Sequence, residues 1–132
     1  MAAPTPTTYS EQVGHYGYDT WQGIWTGTGD FTDEQIIDLS GLTDYSNSVK
    51  VRKVVISASP GISAQVHFDC TTNQVIAHCA LGSTAPVEVD FEKNTGGVIA
   101  KRNAGATGDI EITTTSAGNG DQIMVHIWWY AD

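Results

Sequence analysis

The sequence predicts an all-β fold, an antiparallel two-sheet β-sandwich that is jelly-roll-like and carries an extended N-terminal arm. The strongest signal is the C-terminal run 121–130, in which one face at period two is uniformly apolar: Ile123, Val125, Ile127 and Trp129. A strand with such a face needs a second layer to cover it. The second signal is the frequency of turn residues, because 14 glycines and many threonines punctuate the chain and no convincing helical pattern is present.

The chain divides into a flexible N-terminal arm, residues 1–18, and a β-sandwich domain, residues 19–132. Proline and threonine alternate over the first residues, which have nothing to bury. Aromatic residues are dense between residues 9 and 25, but glycines interrupt them. This pattern favours a loop that leads into the first strand over a helix.

Runs of alternating or β-branched residues between turn signals predict eight or nine strands. The adjacent Ile36 and Ile37 predict one β-bulge, and the shift of alternation at Arg52 and Lys53 predicts a second bulge or bend. The predicted strands are residues 19–26, 32–39, 49–59, 63–69, 74–80, 86–93, 98–102, 108–116 and 121–130. The side chains predicted to point into the sandwich are Val87, Val89, Phe91, Ile110, Ile112, Ile123, Val125 and Ile127.

The two cysteines are predicted to be free thiols. Residues 71–73 have the character of a hairpin loop, and a three-residue loop puts Cys70 opposite Gln74 and Cys79 opposite Gln65. Alternation then separates the two sulfur atoms onto opposite faces of the ribbon, which prevents a disulfide in that register. Free thiols are typical of an intracellular origin.

Composition excludes several classes of partner. Six Lys and Arg against 15 Asp and Glu give a formal net charge of −9, which disfavours binding to the phosphates of a nucleic acid. No apolar run approaches the roughly 20 residues of a membrane-spanning helix, so we expect no membrane partner. The start of the chain has neither the basic nor the apolar region of a secretory signal, so we expect synthesis and folding in a cytoplasm.

Two groups of side chains are candidate metal ligands. The first group is His67, Asp69, Cys70, His78 and Cys79, without the close Cys or His spacing of zinc sites. The second group is Asp30, Asp33, Glu34 and Asp38, which supplies the oxygen ligands that calcium prefers but not the spacing of an EF-hand. The ordinary interpretation of the first group is a hairpin with one polar face and one face in the core. The ordinary interpretation of the second group is a charged sheet edge in contact with solvent. We therefore expect no metal and no cofactor.

The sequence also predicts that the chain is not an enzyme. It has no Gly-x-Ser-x-Gly elbow, no phosphate-binding loop and no His-Glu-x-x-His motif, and its four histidines are scattered. Glu88, Asp90 and Glu92 share one strand face, but glycosidase chemistry needs a facing carboxylate in a cleft. A solvated strand face is the simpler interpretation.

The surplus of aromatic residues near both ends of the chain predicts a binding surface. If the first and last strands lie close together, these side chains form one platform, which suits either a sugar-binding module or a protein interface. We favour the interface. The candidate interface residues are Tyr9, Tyr16, Tyr18, Trp21, Trp25, Trp128 and Tyr130.

Several segments of the chain resemble small virion proteins of tailed bacteriophages. These segments are Gly-Thr-Gly-Asp-Phe-Thr-Asp at 27–33, Asp-Leu-Ser-Gly-Leu-Thr-Asp at 38–44, Val-Lys-Val-Arg-Lys-Val-Val at 49–55 and Gly-Ala-Thr-Gly-Asp-Ile-Glu-Ile-Thr-Thr-Thr at 105–115. The resemblance extends from about Trp25 to the end and leaves residues 1–24 outside it. The shared motifs are structural turns and carry no catalytic signature.

The resemblance implies a structural protein of a tailed-phage particle, made in the host bacterial cytoplasm and located in the virion. The expected role is that of a capsid decoration or cement protein that binds the major capsid protein, or other virion proteins, in many copies. We also expect a homo-oligomer, a trimer, because clustered aromatic side chains supply apolar area against the repulsion of like-charged copies. The alternative is a lectin-like carbohydrate-binding β-sandwich module, for example on a tail or head fibre.

Overall fold

Ten strands and one four-residue helix form the secondary structure of the residues that the computed structural model describes, which are 4–39, 42, 49–80, 86–94, 98–100 and 102–131. The elements are β1 Thr7–Val13, β2 Tyr16–Ile24, β3 Glu34–Ile37, β4 Val49–Ala58, β5 Ser63–Phe68, β6 Gln74–Cys79, β7 Val87–Asp90, α1 Phe91–Asn94, β8 Ile99–Ala100, β9 Ile110–Thr115 and β10 Gln122–Ala131. No helix among these residues is long and apolar enough to span a membrane.

The strands form two antiparallel sheets, which confirms the predicted β-sandwich. Sheet A has the order β1-β2-β10-β4-β7, with β8 also paired to β4, and sheet B has the order β3-β9-β5-β6. The core lies between the sheets and contains most of the predicted interior. Phe91, Ile110, Ile112, Ile123, Val125 and Ile127 are buried, and Val87 and Val89 pack against the core as partly buried side chains.

Both predicted bulges are present. Opposite β9, the register shifts between Gln35 and Ile37, so Ile36 is the extra residue of β3. Opposite β10, Val51 pairs with Trp129 and Lys53 with Trp128, so Arg52 is the extra residue of β4. This second bulge changes the phase of β4 and lets valines on both sides of it point into the core.

β10 is held at the centre of sheet A by a close contact between Trp129 and Gly17. The two residues are cross-strand partners, and the Trp129 indole lies directly over the Gly17 backbone, where a Cβ atom would collide with its ring. Trp129 is 0% exposed. Gly17 is therefore required by this close approach, because any other side chain would displace a large buried ring.

The N-terminal segment differs from the predicted flexible arm of residues 1–18. Residues 1–3 lie outside the described part, but Thr7–Val13 forms β1 along the edge of β2, which itself begins at Tyr16. The side chains of β1 are almost all exposed, so the composition-based argument that they bury nothing was correct. The prediction that this segment is flexible was wrong, because a strand can pair its backbone groups with a neighbouring strand without burying its side chains.

Two further local predictions were wrong. Residues 91–93, predicted as the end of a strand, lie in α1, where the Asp90 carboxylate accepts a hydrogen bond from the Lys93 backbone N–H at 2.9 Å. The β5–β6 hairpin pairs Phe68 with Gln74 and Ala64 with Cys79, so its loop is longer than three residues. It opens early because backbone groups of residues 69–71 bond to the 104–109 loop instead. Both cysteines are nevertheless free and buried.

Replacement of Gly17 by alanine should destabilise the fold strongly. The added methyl group occupies the position of the Trp129 indole, so either the ring or the β2–β10 pair has to move. We expect a loss of about 2–4 kcal/mol in the free energy of unfolding. Urea denaturation followed by tryptophan fluorescence measures it. Gly118→Ala, at a site without a positive φ where the nearest atom to an added Cβ is 4.0 Å away, is the control for the replacement of a glycine by itself; equal losses for the two variants would contradict the collision with Trp129.

Candidate functional site

Strand pairing brings four aromatic side chains together on the outer face of sheet A. Tyr18 lies opposite Trp128 and Tyr16 opposite Tyr130. Directly opposite residues of antiparallel strands point to the same side, so the four rings form two adjacent rows. The ring centroids are 4.9 Å apart in the first pair and 5.3 Å apart, edge to face, in the second. We call these four residues the aromatic strip.

Basic side chains of β4 line one side of the aromatic strip. The Arg52 guanidinium lies 4.8 Å from the Tyr16 ring centroid, the Lys53 ammonium 5.1 Å from that of Trp128, and the Lys50 ammonium 6.0 Å from that of Tyr130. The bulge at Arg52 allows consecutive basic residues to lie on this side of the sheet. Three of the chain's six Lys and Arg residues are thus gathered here.

Acidic and histidine side chains fix the position of this basic and aromatic surface. Arg52 pairs with Glu92 at 2.7 Å and Lys53 pairs with Glu88 at 3.4 Å. The Tyr18 hydroxyl and His126 Nδ1 share a hydrogen bond of 2.7 Å. His15 stacks on Tyr130 with a centroid distance of 5.3 Å. The surface is therefore largely pre-organised, which lowers the loss of side-chain conformational entropy when a partner binds.

Five of the predicted interface residues share this face, and two do not. Tyr9 is 54% exposed on β1, one strand away from the aromatic strip. Trp21 and Trp25 are core residues at 0% and 2% exposure, so their prediction as surface residues was wrong. Both pack edge to face on Phe31. The sequence held a signal for this outcome, because Tyr16 and Tyr18 have the opposite parity to Trp21 and Trp25 along the strand.

The two predicted groups of metal ligands are not assembled as groups. In the first, His78 is exposed while Cys70 and Cys79 are buried, so they do not converge. In the second, the Asp30 carboxylate accepts hydrogen bonds from the Thr114 hydroxyl and from backbone N–H groups of residues 116 and 117, a structural role in the β9–β10 turn. The structure instead combines one member of each group, His67 and Asp33, with Glu111. Glu111 carries no sequence motif, and only the pairing of β5 with β9 reveals it.

A narrow cleft of about 200 Å³ opens between the sheets where β1 and β2 approach β3, and the Asp19 carboxylate lines it. Asp19 is only 4% exposed and accepts a hydrogen bond of 2.6 Å from the Ser10 hydroxyl. Burial raises the pKa of this carboxyl, while the Ser10 hydroxyl and the Trp129 indole act in the opposite direction. Ser10 and Asp38 line the same cleft.

Comparison with known proteins adds no identification. No protein-family model matches the chain, and no curated protein matches it significantly.

Asp19→Asn should change the pH dependence of stability. Because folding raises the pKa of the Asp19 carboxyl, its favourable contribution is complete below the ordinary aspartate pKa of about 4 and is lost as the pH rises through the folded-state value. We therefore expect the variant to exceed the wild type in melting temperature at pH 7 and to match it near pH 3.5. Thermal unfolding by circular dichroism measures both. Glu88→Gln, which changes an exposed carboxylate, is the control; a difference between the Asp19 variant and the wild type that is constant with pH would contradict the argument.

Proposed function

We propose that this chain is a structural protein of a tailed-phage particle, a capsid decoration or cement protein that binds the major capsid protein in many copies. The observation that carries the proposal is the aromatic strip with its row of cations on the outer face of sheet A. Tyrosine, tryptophan and arginine are the residues most enriched at the energetic centres of protein interfaces. The resemblance of residues 25–132 to small virion proteins supplies the biological setting.

The packing of the strip favours a protein partner over a sugar. A sugar ring stacks on the open face of an aromatic side chain. Here Tyr18 and Trp128 pack on each other, and Arg52 and Lys53 lie over the Tyr16 and Trp128 rings. Arg52 and Lys53 in turn pair with carboxylates at the edge of the surface. Such a mixed aromatic and charged surface suits the core and rim of a protein interface.

We infer that the sandwich is a jelly roll, which supports a virion role. Its strand pairs are nested as if the chain were folded in half: β5 pairs with β6, β4 with β7, β3 with β9 and β2 with β10. The pairs alternate between sheet B and sheet A. Two-sheet folds of this wrapped kind are used by viral capsid domains and also by lectins.

We further propose that the protein acts as a homo-oligomer, a trimer, on the particle. The net charge of −9 opposes self-association, so apolar contact area has to outweigh the repulsion. Exposed Tyr9 and Val13 extend the aromatic strip onto β1 and supply such area. Many copies on a lattice bind with avidity, so each contact can be individually weak.

A second candidate function, a lectin-like module, is favoured by one separate feature. At the far end of the strands that carry the aromatic strip, a shallow depression of about 370 Å³ is lined by amide and hydroxyl side chains, among them Gln22, Ser57 and Gln122. Such groups recognise sugar hydroxyls. A glycan array separates the two functions: specific binding that Gln22→Ala abolishes would replace the proposed role with carbohydrate recognition.

The double variant Tyr16→Ala/Tyr130→Ala should bind phage capsids more weakly. Its two rings form one row of the aromatic strip, and removing them from the centre of an interface should lower the affinity by about tenfold or more. Co-sedimentation with capsids that lack this chain measures binding, and light scattering measures the oligomer. Val75→Ala, which truncates a 48% exposed side chain on sheet B, should bind as the wild type does.

Two results would overturn the proposed function. The first is wild-type co-sedimentation of the double variant with its fold intact by circular dichroism. The second is the absence of the chain from purified virions of the phage that encodes it, which mass spectrometry of the particles detects directly.

A further inference from the structure

A histidine and two carboxylates converge on the outer face of sheet B. His67 of β5 lies directly opposite Glu111 of β9, and Asp33 reaches them from the residue before β3. Asp33 Oδ1 is 3.3 Å from His67 Nε2, and Glu111 Oε1 is 3.8 Å from His67 Nδ1. One ligand atom from each of the three residues lies within 4.8 Å of the other two. We call these three residues the Asp–His–Glu cluster.

Two members of the cluster, His67 and Glu111, are buried although they lie on the side of the sheet that faces away from the core. The inward residues of β5 are Ala64, Val66 and Phe68, so His67 points outward, yet it is 0% exposed. Glu111 is 9% exposed, and its Oε1 atom is buried without a hydrogen-bond partner. A buried carboxylate oxygen that no donor satisfies is costly, and a cation bound beside it removes the cost.

Among the described residues, the charged groups that act on Glu111 are carboxylates. Burial, together with the neighbouring carboxylates of Asp69, Asp33 and Asp109, raises the pKa of the Glu111 carboxyl to about 7. Arg52 and Lys53, which do pair with carboxylates, are located on sheet A. The field at Glu111 therefore favours a positive ion strongly.

We propose that Asp33, His67 and Glu111 bind one divalent first-row transition-metal ion, of the class of Zn²⁺ or Mn²⁺. An imidazole with two carboxylates suits such an ion, whereas Ca²⁺ and Mg²⁺ prefer oxygen ligands alone. Asp33 lies at Nε2 of His67 and Glu111 at Nδ1, so one carboxylate has to turn for both to bind the ion that one ring nitrogen holds. The Asp33 side chain is 51% exposed, so an ion enters from that side and retains water there. This proposal replaces the sequence-based expectation of no metal site.

The surroundings of the cluster suit a structural metal site. The Asn73 side-chain amide donates to Asp33 Oδ1 at 3.2 Å, and the Thr113 hydroxyl lies 3.1 Å from His67 Nε2 and 3.3 Å from Asp33 Oδ1. Such bonds orient a carboxylate toward an ion. The ion would join the segment before β3 to the two central strands of sheet B, β5 and β9. Its function is thus to clamp sheet B, and it is independent of any partner that sheet A binds.

Metal binding by the full-length chain tests the proposal. After removal of metal with EDTA, equilibrium dialysis against Zn²⁺ or Mn²⁺ with elemental analysis should give one ion per chain. At about a hundredfold excess of ion over Kd, the melting temperature should rise by on the order of 10 °C. Ca²⁺ and Mg²⁺ should raise it much less.

Isosteric variants separate the cluster from binding by surface carboxylates. Glu111→Gln should weaken binding by at least about tenfold, and without metal it should melt above the wild type because a buried charge is gone. Asp33→Asn, at an exposed position that the fold tolerates easily, should also weaken binding. Glu88→Gln on sheet A is the matched control and should bind as the wild type does.

Three results would overturn the proposal: less than one ion bound per chain at saturation, an equal response to Ca²⁺ and Zn²⁺, or wild-type affinity in both Glu111→Gln and Asp33→Asn.

Discussion

The packing of Trp129 over Gly17 is the contact on which both surfaces of sheet A depend. β10 lies between β2 and β4, so the direction of its side chains sets the direction of theirs. With Trp129 inside the sandwich, alternation turns Trp128 and Tyr130 outward, opposite Tyr18 and Tyr16. A shift of one residue in the pairing register of β10 would bury its polar side chains and expose its apolar ones. The large ring and the missing side chain therefore select one register, and that register creates the aromatic strip.

The bulge at Arg52 solves a conflict between core packing and surface composition. β4 has to send Val51 and Val54 into the same core, although they are three positions apart and strict alternation would put them on opposite faces. One extra residue restores the phase. The consequence on the outside is that Arg52 and Lys53 both lie beside aromatic rings. The cations of the surface are thus a product of the same irregularity that completes the core.

The features that depend on local sequence patterns could be predicted, and those that depend on contacts between distant segments could not. The alternation of Ile123, Val125 and Ile127 predicted the core strand of sheet A, and adjacent apolar residues predicted the bulge at Ile36. Parity along β2 places Trp21 inside, whereas the dense aromatic composition of this region predicts a surface position. The early opening of the β5–β6 hairpin depends on hydrogen bonds to the 104–109 loop. The formation of β1 depends on an edge of β2 with which it can pair. Neither is visible in a local pattern.

The Asp–His–Glu cluster shows most clearly what only the fold could reveal. Its members lie far apart in sequence, and each has an ordinary interpretation by itself. Glu111 follows the apolar, polar alternation of β9 and reads as a solvent-facing residue, yet it is 9% exposed. This outward-facing carboxylate lies beside the side chains of His67 and Asp33, which come from distant parts of the chain. The two outer faces therefore differ in kind: on sheet A, cations and carboxylates compensate one another and leave aromatic rings for a partner, whereas on sheet B uncompensated carboxylates surround a histidine. That difference in local charge balance, rather than the net charge of the chain, is the reason for proposing a protein partner for the first face and a small cation for the second.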